Sequence, residues 1–345
     1  MARALLVGSL NLDSADAVFL AVGETLSGEV SRVPDGETGD RLGWIFALQP
    51  KIADNPSLER VEQTWGGDET ISHVFPQFRP RAGVDGGDVE FGNLGYADDA
   101  LASWEGFVRA RNEGVLPADV RFQVSLPTAY MALMAYIDID HREALAPAYE
   151  QALGDEINRI LDVIPADDLA IQWDIPCEVG TTEGVGPPNR WTFDDVCREL
   201  GRMAALVPEP VELGFHHCYG DPPDPETGHG KHWLEPPSMS AMVKLTNGML
   251  PHMQRTVTWV HMPVPIERDD DDYYAALADL QLPEETELYL GLLHLEDGLD
   301  GARRRIATAT KFVDNFGVAT ECGLGRLPRD EVRPTLELHR TVTVP

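Results

Sequence analysis

The chain has 345 residues, 43% of them hydrophobic, enough for one large buried core or two ordinary ones. Its 58 acidic residues outnumber 27 basic ones and give a formal charge of −31, a surface that repels phosphate backbones and anionic lipid, which excludes nucleic acid and membranes as partners. No stretch reaches the roughly 20 apolar residues of a bilayer helix, and the apolar run "ALLV" stops at Gly8, too short for a signal-peptide core, so a cytoplasmic protein is expected.

In chain order, short runs rich in Val, Ile and Leu alternate with stretches of helical period. The first two runs are "ALLVGS" (4–9) and "EVSRVPDGE" (29–37). Residues 45–118 hold no clean strand–helix unit and contain "TWGGDET" and "VDGGDVEFGNLGYADD"; they read as an insertion with a hairpin, a lid over one face. "RFQVSLP" (121–127) follows, then a helix with Leu145, Tyr149, Leu153, Ile157 and Ile160 on one stripe, then "LAIQWDIPC" (169–177). A second amphipathic stretch places Cys197 beside the stripe of Val196, Leu200, Met203 and Val207, ahead of "VELGFHHC" (211–218) and "TVTWVHMP" (256–263). "ERDDDDYY" (267–274) lacks the spacing of a calcium loop and reads as a solvated helix start, where acids complement the dipole. The chain ends with "ELYLGLLH" (287–294), a helix carrying Ala302, Ile306, Ala309 and Val313, and "FGVATECG" (316–323).

Alternation of this kind indicates a parallel sheet with helical crossovers, and eight runs indicate an α/β fold of the (β/α)₈ TIM-barrel type, a single domain over 1–345 with 45–118 inserted between strands 2 and 3. The competing doubly wound sheet would carry a G-x-G-x-x-G or Walker loop after a strand, and none is present.

Barrels of this class carry their chemistry at the C-terminal ends of the strands. The run ends hold Ser9, Asp35 and Glu37, Thr128, Asp174 and Cys177, His216 and Cys218, His261, His294, and Cys322, few of which suit the end of a core strand. Within "GFHHCYG" (214–220) side chains alternate faces, so His216 and Cys218 point one way and His217 the other, toward a covering helix. Cys322, at the tip of the last run, reaches the same mouth. Two thiolates and an imidazole favour tetrahedral zinc. Cys177 is expected as a neighbour of this group, not a ligand, and four cysteines in a cytosolic chain are expected reduced.

These residues resemble the catalytic barrel of cobalamin-independent methionine synthase, in the superfamily that includes uroporphyrinogen decarboxylase and epoxyalkane:coenzyme M transferase. "HHCYG" and "TECGLGR" are similar to the family's zinc-binding H-x-C-Y and D-C-G-L; "VGS", "DGE", "SLPTA", "QWDIP" and "LLH" fall in order at the places of I-G-S, H-G-E, T-G-P-V-T, Q-x-D-E-P and D-I-H. The resemblance implies zinc-dependent transfer of an alkyl group, in the simplest case methyl, to a small thiol. It makes His216, Cys218 and Cys322 zinc ligands and puts His261 at the place of the family's fourth ligand, a glutamate, with Glu267 a weaker substitute. Ser9, Glu37 and Asp174 match positions that hold an amino-acid thiol, and His294 matches a histidine near the leaving group, a candidate general acid. The chain lacks the second barrel of full-length folate-dependent enzymes and has Ile175 where the family has an acid, so a different alkyl donor is implied.

The bare residues leave two other readings. In one the zinc activates water and the protein is a hydrolase; two thiolate ligands make the metal less acidic and suit sulfur chemistry better. In the other the barrel binds a small ligand without catalysis, and the strand-end residues are structural. A homo-oligomer is left open.

Overall fold

The computed structural model describes residues 3–66, 74–220 and 232–343. Seven parallel strands form one curled sheet, and a separate antiparallel pair stands apart from it. In chain order the strands are β1 (Arg32–Pro34), β2 (Leu58–Gly66), β3 (Val74–Pro80), β4 (Arg121–Pro127), β5 (Leu169–Asp174), β6 (Glu212–His216), β7 (Trp259–Pro263), β8 (Glu287–Leu293) and β9 (Gly317–Thr320). The parallel sheet runs β1-β4-β5-β6-β7-β8-β9, each neighbour reached through helical crossovers.

The expected first strand, residues 4–9, is not a regular strand. It touches both edges of the sheet through isolated bridges, Ala4 to Val30 beside β1 and Ala4 to Val318 in β9. Its peptide groups are diverted inward: the Gln123 side chain donates to the carbonyls of Leu6 and Val7 at 3.1 and 3.2 Å, and that of Gln172 donates to Val7 at 2.6 Å. These carbonyls thus accept from side chains of the sheet's interior.

Around this sheet the amphipathic stretches form helices as their period requires. Arg142–Leu161 buries Leu145, Tyr149, Leu153, Ile157 and Ile160. Phe193–Ala205 opens with a capping box between Thr192 and Asp195 and buries Val196, Cys197, Leu200 and Met203. Both faces of β5 are buried, as a central parallel strand demands. The acidic run proves to be a helix start: Asp270 caps Asp271–Tyr274, accepting from the Tyr273 N–H at 3.1 Å, and Asp269 pairs with Arg304 at 3.0 Å. Among the described residues no helix is long and apolar enough to cross a membrane.

The antiparallel pair β2–β3 lies within the stretch read as an insertion. It is docked by a bridge from Phe78 to Ile137, where the Asp138 N–H donates to the Phe78 carbonyl at 3.0 Å. Phe75 stacks on Trp65 at 4.8 Å and on Phe46 at 5.3 Å between ring centroids. An aromatic wall from the insertion thus stands at the C-terminal end of the sheet.

Candidate metal centre

β6 ends at His216, and the next two residues turn outward to Cys218. β9 ends at Thr320, two residues before Cys322. Parallel strands bring both tips to the same end of the sheet, and one nitrogen of His216 and the sulfurs of Cys218 and Cys322 all lie within 4.8 Å of one another. The sulfurs are 3.9 Å apart, far beyond a disulfide bond. Two sulfurs bound to one tetrahedral zinc at about 2.3 Å each would stand about 3.8 Å apart. The Gly220 N–H donates to the Cys218 sulfur at 3.4 Å.

The donor set also passes a test of burial. His216 is 1% exposed, and its Nε2 has no hydrogen-bond partner among the described residues. A buried, unpaired imidazole nitrogen next to two cysteines is costly unless something accepts its lone pair. Burial, with His261 and His217 nearby, holds the His216 pKa well below its usual range, so the ring is neutral and able to ligate. The residues present therefore fit a zinc ion.

His261 does not join this group. It lies behind His216, with the two Nδ1 atoms 2.7 Å apart, and its Nε2 meets the Thr320 carbonyl at 3.1 Å. Both its ring nitrogens meet other groups, and it stands outside the His–Cys–Cys cluster beside which it was expected as fourth ligand; burial pushes its pKa to about 3. Glu267, the substitute, is also outside the group. His217 points the other way, as strand alternation required, its Nε2 2.9 Å from the hydroxyl of Thr246 on the helix Ser240–Met249.

The metal group forms one wall of a pocket of about 790 Å³ including its open mouth, and Ser9, Glu37 and Asp174 line the same pocket. Ser9 is held by close approach: a β-carbon on Gly323 or Gly325 would come within 2.5 or 2.6 Å of its hydroxyl oxygen. Glu37 sits in a turn with φ 46°, its N–H donating to the Asp35 carboxylate at 2.9 Å, and Asp35 is itself clamped by Arg41 at 2.7 Å. Burial, then the Asp35 charge, pushes Glu37 up to about 8. Asp174 accepts from Gln172 at 2.8 Å, and burial followed by Glu37 and Cys218 raises it well above the usual carboxylate range. Cys177 lines the pocket but stands outside the metal group.

His294 is not in this pocket. It lines an adjoining one on the far side of Cys322, with Glu321 and His232. Its Nε2 meets the Val264 carbonyl at 2.8 Å, and its Nδ1 is 4.0 Å from the Glu321 carboxylate, which His232 contacts at 3.1 Å.

The aromatic lining of this pocket, Trp44, Phe46, Trp65, Phe75 and Trp233, was not anticipated from the sequence. Trp44 has φ 49° and ψ −115°, and with Glu37 it is one of two non-glycine residues at positive φ among those described; both line this pocket. Such strain gathers at functional sites. Arg326, also in the wall, stood in plain view in "TECGLGR".

No protein-family model and no curated protein sequence matches the chain. Solved structures do. A B12-independent methionine synthase from Shewanella sp. W3-18-1, in complex with selenomethionine, superposes with a TM-score of 0.60 at 16% identity over 99% of this chain and 95% of that one. The chain has the fold of the B12-independent methionine synthase structures. A Listeria monocytogenes protein assigned as a vitamin-B12-independent methionine synthase gives a TM-score of 0.57 at 13% identity, covering 99% of both chains. A methyltransferase from Methanosarcina mazei gives 0.50 at 12% identity, covering 98% of this chain and 94% of the other. In this fold the His–Cys–Cys group lies at the C-terminal tips of parallel strands.

Proposed function

We propose that the protein transfers an alkyl group, in the simplest case methyl, to the sulfur of a small thiol held at a zinc site made by His216, Cys218 and Cys322. The observation that carries this reading is the meeting of two cysteines, 104 residues apart in sequence, at 3.9 Å beside an unpaired imidazole nitrogen. We read the chain as one barrel domain, with residues 4–10 completing the ring as its first member and 45–118 as the lid.

Zinc bound here supplies one thing: it keeps the substrate sulfur a thiolate at neutral pH, where a free thiol of pKa about 8.5 is mostly protonated. The chain's residues do the rest. Glu37 and Asp174 take the ammonium of an amino-acid thiol, and its arrival restores their charge, since a cation opposes the burial that raises their pKa values. The hydroxyl of Ser9, against the Cys322 loop, positions the same end. The aromatic wall covers the pocket and excludes water. A bond forms from sulfur to the alkyl carbon as the bond to the leaving group breaks. The leaving group keeps that electron pair. A donor that extends past Cys322 into the adjoining pocket brings it to Nδ1 of His294, the ring atom not committed to Val264. That atom takes a second ring proton from solvent, against the burial that lowers its pKa, and passes it on, with Glu321 at 4.0 Å favouring the protonated ring. The Shewanella protein's selenomethionine is the selenium counterpart of the thioether that such methyl transfer would yield.

The test is a panel of small thiols added to the cobalt-substituted protein, followed by turnover with methyl donors. The reading requires sulfur-to-metal absorption to grow when an amino-acid thiol binds, and turnover to depend on that thiol. Hydrolysis of the donor without thiol would contradict it.

A further inference from the structure

The histidine behind the metal group has a definite task. The Thr320 carbonyl can only accept, so Nε2 of His261, 3.1 Å away, carries that ring's proton. For a neutral ring this leaves Nδ1 of His261 as an acceptor. Nδ1 of His216, 2.7 Å from it, must then be the donor. With its proton on Nδ1, His216 keeps a bare lone pair on Nε2, the buried atom with no hydrogen-bond partner among the described residues, on a ring that belongs to the His–Cys–Cys group. The opposite tautomer would put the proton on Nε2 and leave the two Nδ1 atoms without a proton between them.

The chain of contacts also ties the ligand-bearing strands together. It runs from β6 through β7 to Thr320 at the end of β9, whose hydroxyl donates to the Cys322 carbonyl at 2.8 Å. Both ends of the relay therefore stop at residues that hold, or directly position, a ligand.

We infer that His261 is a positioning residue, not a ligand: it locks His216 in the tautomer that presents Nε2, and it leaves the zinc with three protein ligands, so that the fourth position belongs to the substrate sulfur. This rests on reading the His–Cys–Cys group as a zinc site. Partners of this kind orient first-shell histidines and typically contribute about 10–100-fold to metal affinity.

The experiment uses the full chain with ¹⁵N-labelled histidine. In the metal-free protein, long-range proton–nitrogen spectra are expected to show His216 protonated at Nδ1 and His261 at Nε2. After loading with ¹¹³Cd, one histidine nitrogen, Nε2 of His216, couples to the metal. His261→Leu, which cannot accept from His216, lowers zinc affinity about 10–100-fold by competition with a chromophoric chelator. His261→Gln, whose amide can both accept from His216 and donate to Thr320, restores it to near the unsubstituted value. Cadmium coupling to both histidines, a metal-free His216 protonated at Nε2, or a Gln variant as weak as the Leu variant would each overturn the inference. Failure to bind cadmium at all would instead sink the zinc reading, while the metal-free tautomers still judge the relay.

Discussion

At the N-terminal end of the parallel sheet the first residues of the strands satisfy one another. Arg32, opening β1, donates to Glu212 of β6 and Glu287 of β8, each at 3.0 Å, and its guanidinium lies 4.1 Å over the ring of Trp259, which opens β7. Arg121, opening β4, adds a second pair to Glu212 at 3.1 Å. One guanidinium nitrogen of Arg32 is left without a hydrogen-bond partner among the described residues. At the C-terminal end the arrangement differs: an imidazole nitrogen with no partner among the described residues, two sulfurs 3.9 Å apart without a disulfide and two carboxyls pushed toward neutrality line a pocket. Charges at one end are spent on holding strands in place; at the other they are kept for something from outside. Buried groups that shift this way mark functional sites.

Variants at each end separate stability from binding. Cys218→Ser and Cys322→Ser are expected to abolish zinc binding and thiol alkylation together, with the unfolding free energy of the metal-free protein lowered by about 1 kcal/mol or less. Arg32→Met is expected to do the reverse, costing about 2–3 kcal/mol because Glu212 and Glu287 lose a buried partner, with zinc stoichiometry unchanged. A loss of metal in Arg32→Met would break the contrast. Glu37→Gln keeps the turn but removes the charge offered to an ammonium; thiol affinity should fall about tenfold, in line with a charge-assisted hydrogen bond, with kcat nearly unchanged.

The smallest effect concerns pH. His339 is fully buried on Arg329–Thr343, its Nδ1 on the Thr335 carbonyl at 2.8 Å, and burial pushes its pKa from an ordinary 6.5 to about 4. Between those values the unfolded chain holds a proton that the native ring refuses, so stability falls as pH drops from 6.5 toward 4. His339→Leu should make that decline shallower by at most about 1.4 kcal/mol per pH unit, seen as converging midpoints near pH 4 in urea titrations, with metal binding unaffected at neutral pH.

Much of the sheet was legible because its strands are buried on both faces and read as continuous apolar runs; the seven runs from 29–37 onward each contain an observed strand. The run at 4–9 looks the same in sequence, yet it meets the sheet only through isolated bridges, with Gln123 and Gln172 donating to its carbonyls. The grouping of His216, Cys218 and Cys322 followed from period-two alternation and from the shared direction of parallel strands. The place of His261 did not: whether it faces the sulfurs or stands behind His216 depends on one hydrogen bond to Thr320, a carbonyl on the far strand, and spacing along β7 carries no record of that. The aromatic wall was equally hidden. Trp44 owes its position to a left-handed backbone, and Trp65 to its pairing with Phe75 in a hairpin of irregular register, neither of which leaves a periodic pattern.

The central claim is that two sulfurs and one imidazole of this chain grip a single ion, and X-ray absorption at the zinc edge of the purified protein tests it most directly. The expected first shell contains two protein sulfurs at about 2.3 Å with nitrogen or oxygen at the remaining positions, and gains a third sulfur when an amino-acid thiol is added. A shell with no sulfur, or one that an added thiol leaves unchanged, would contradict it.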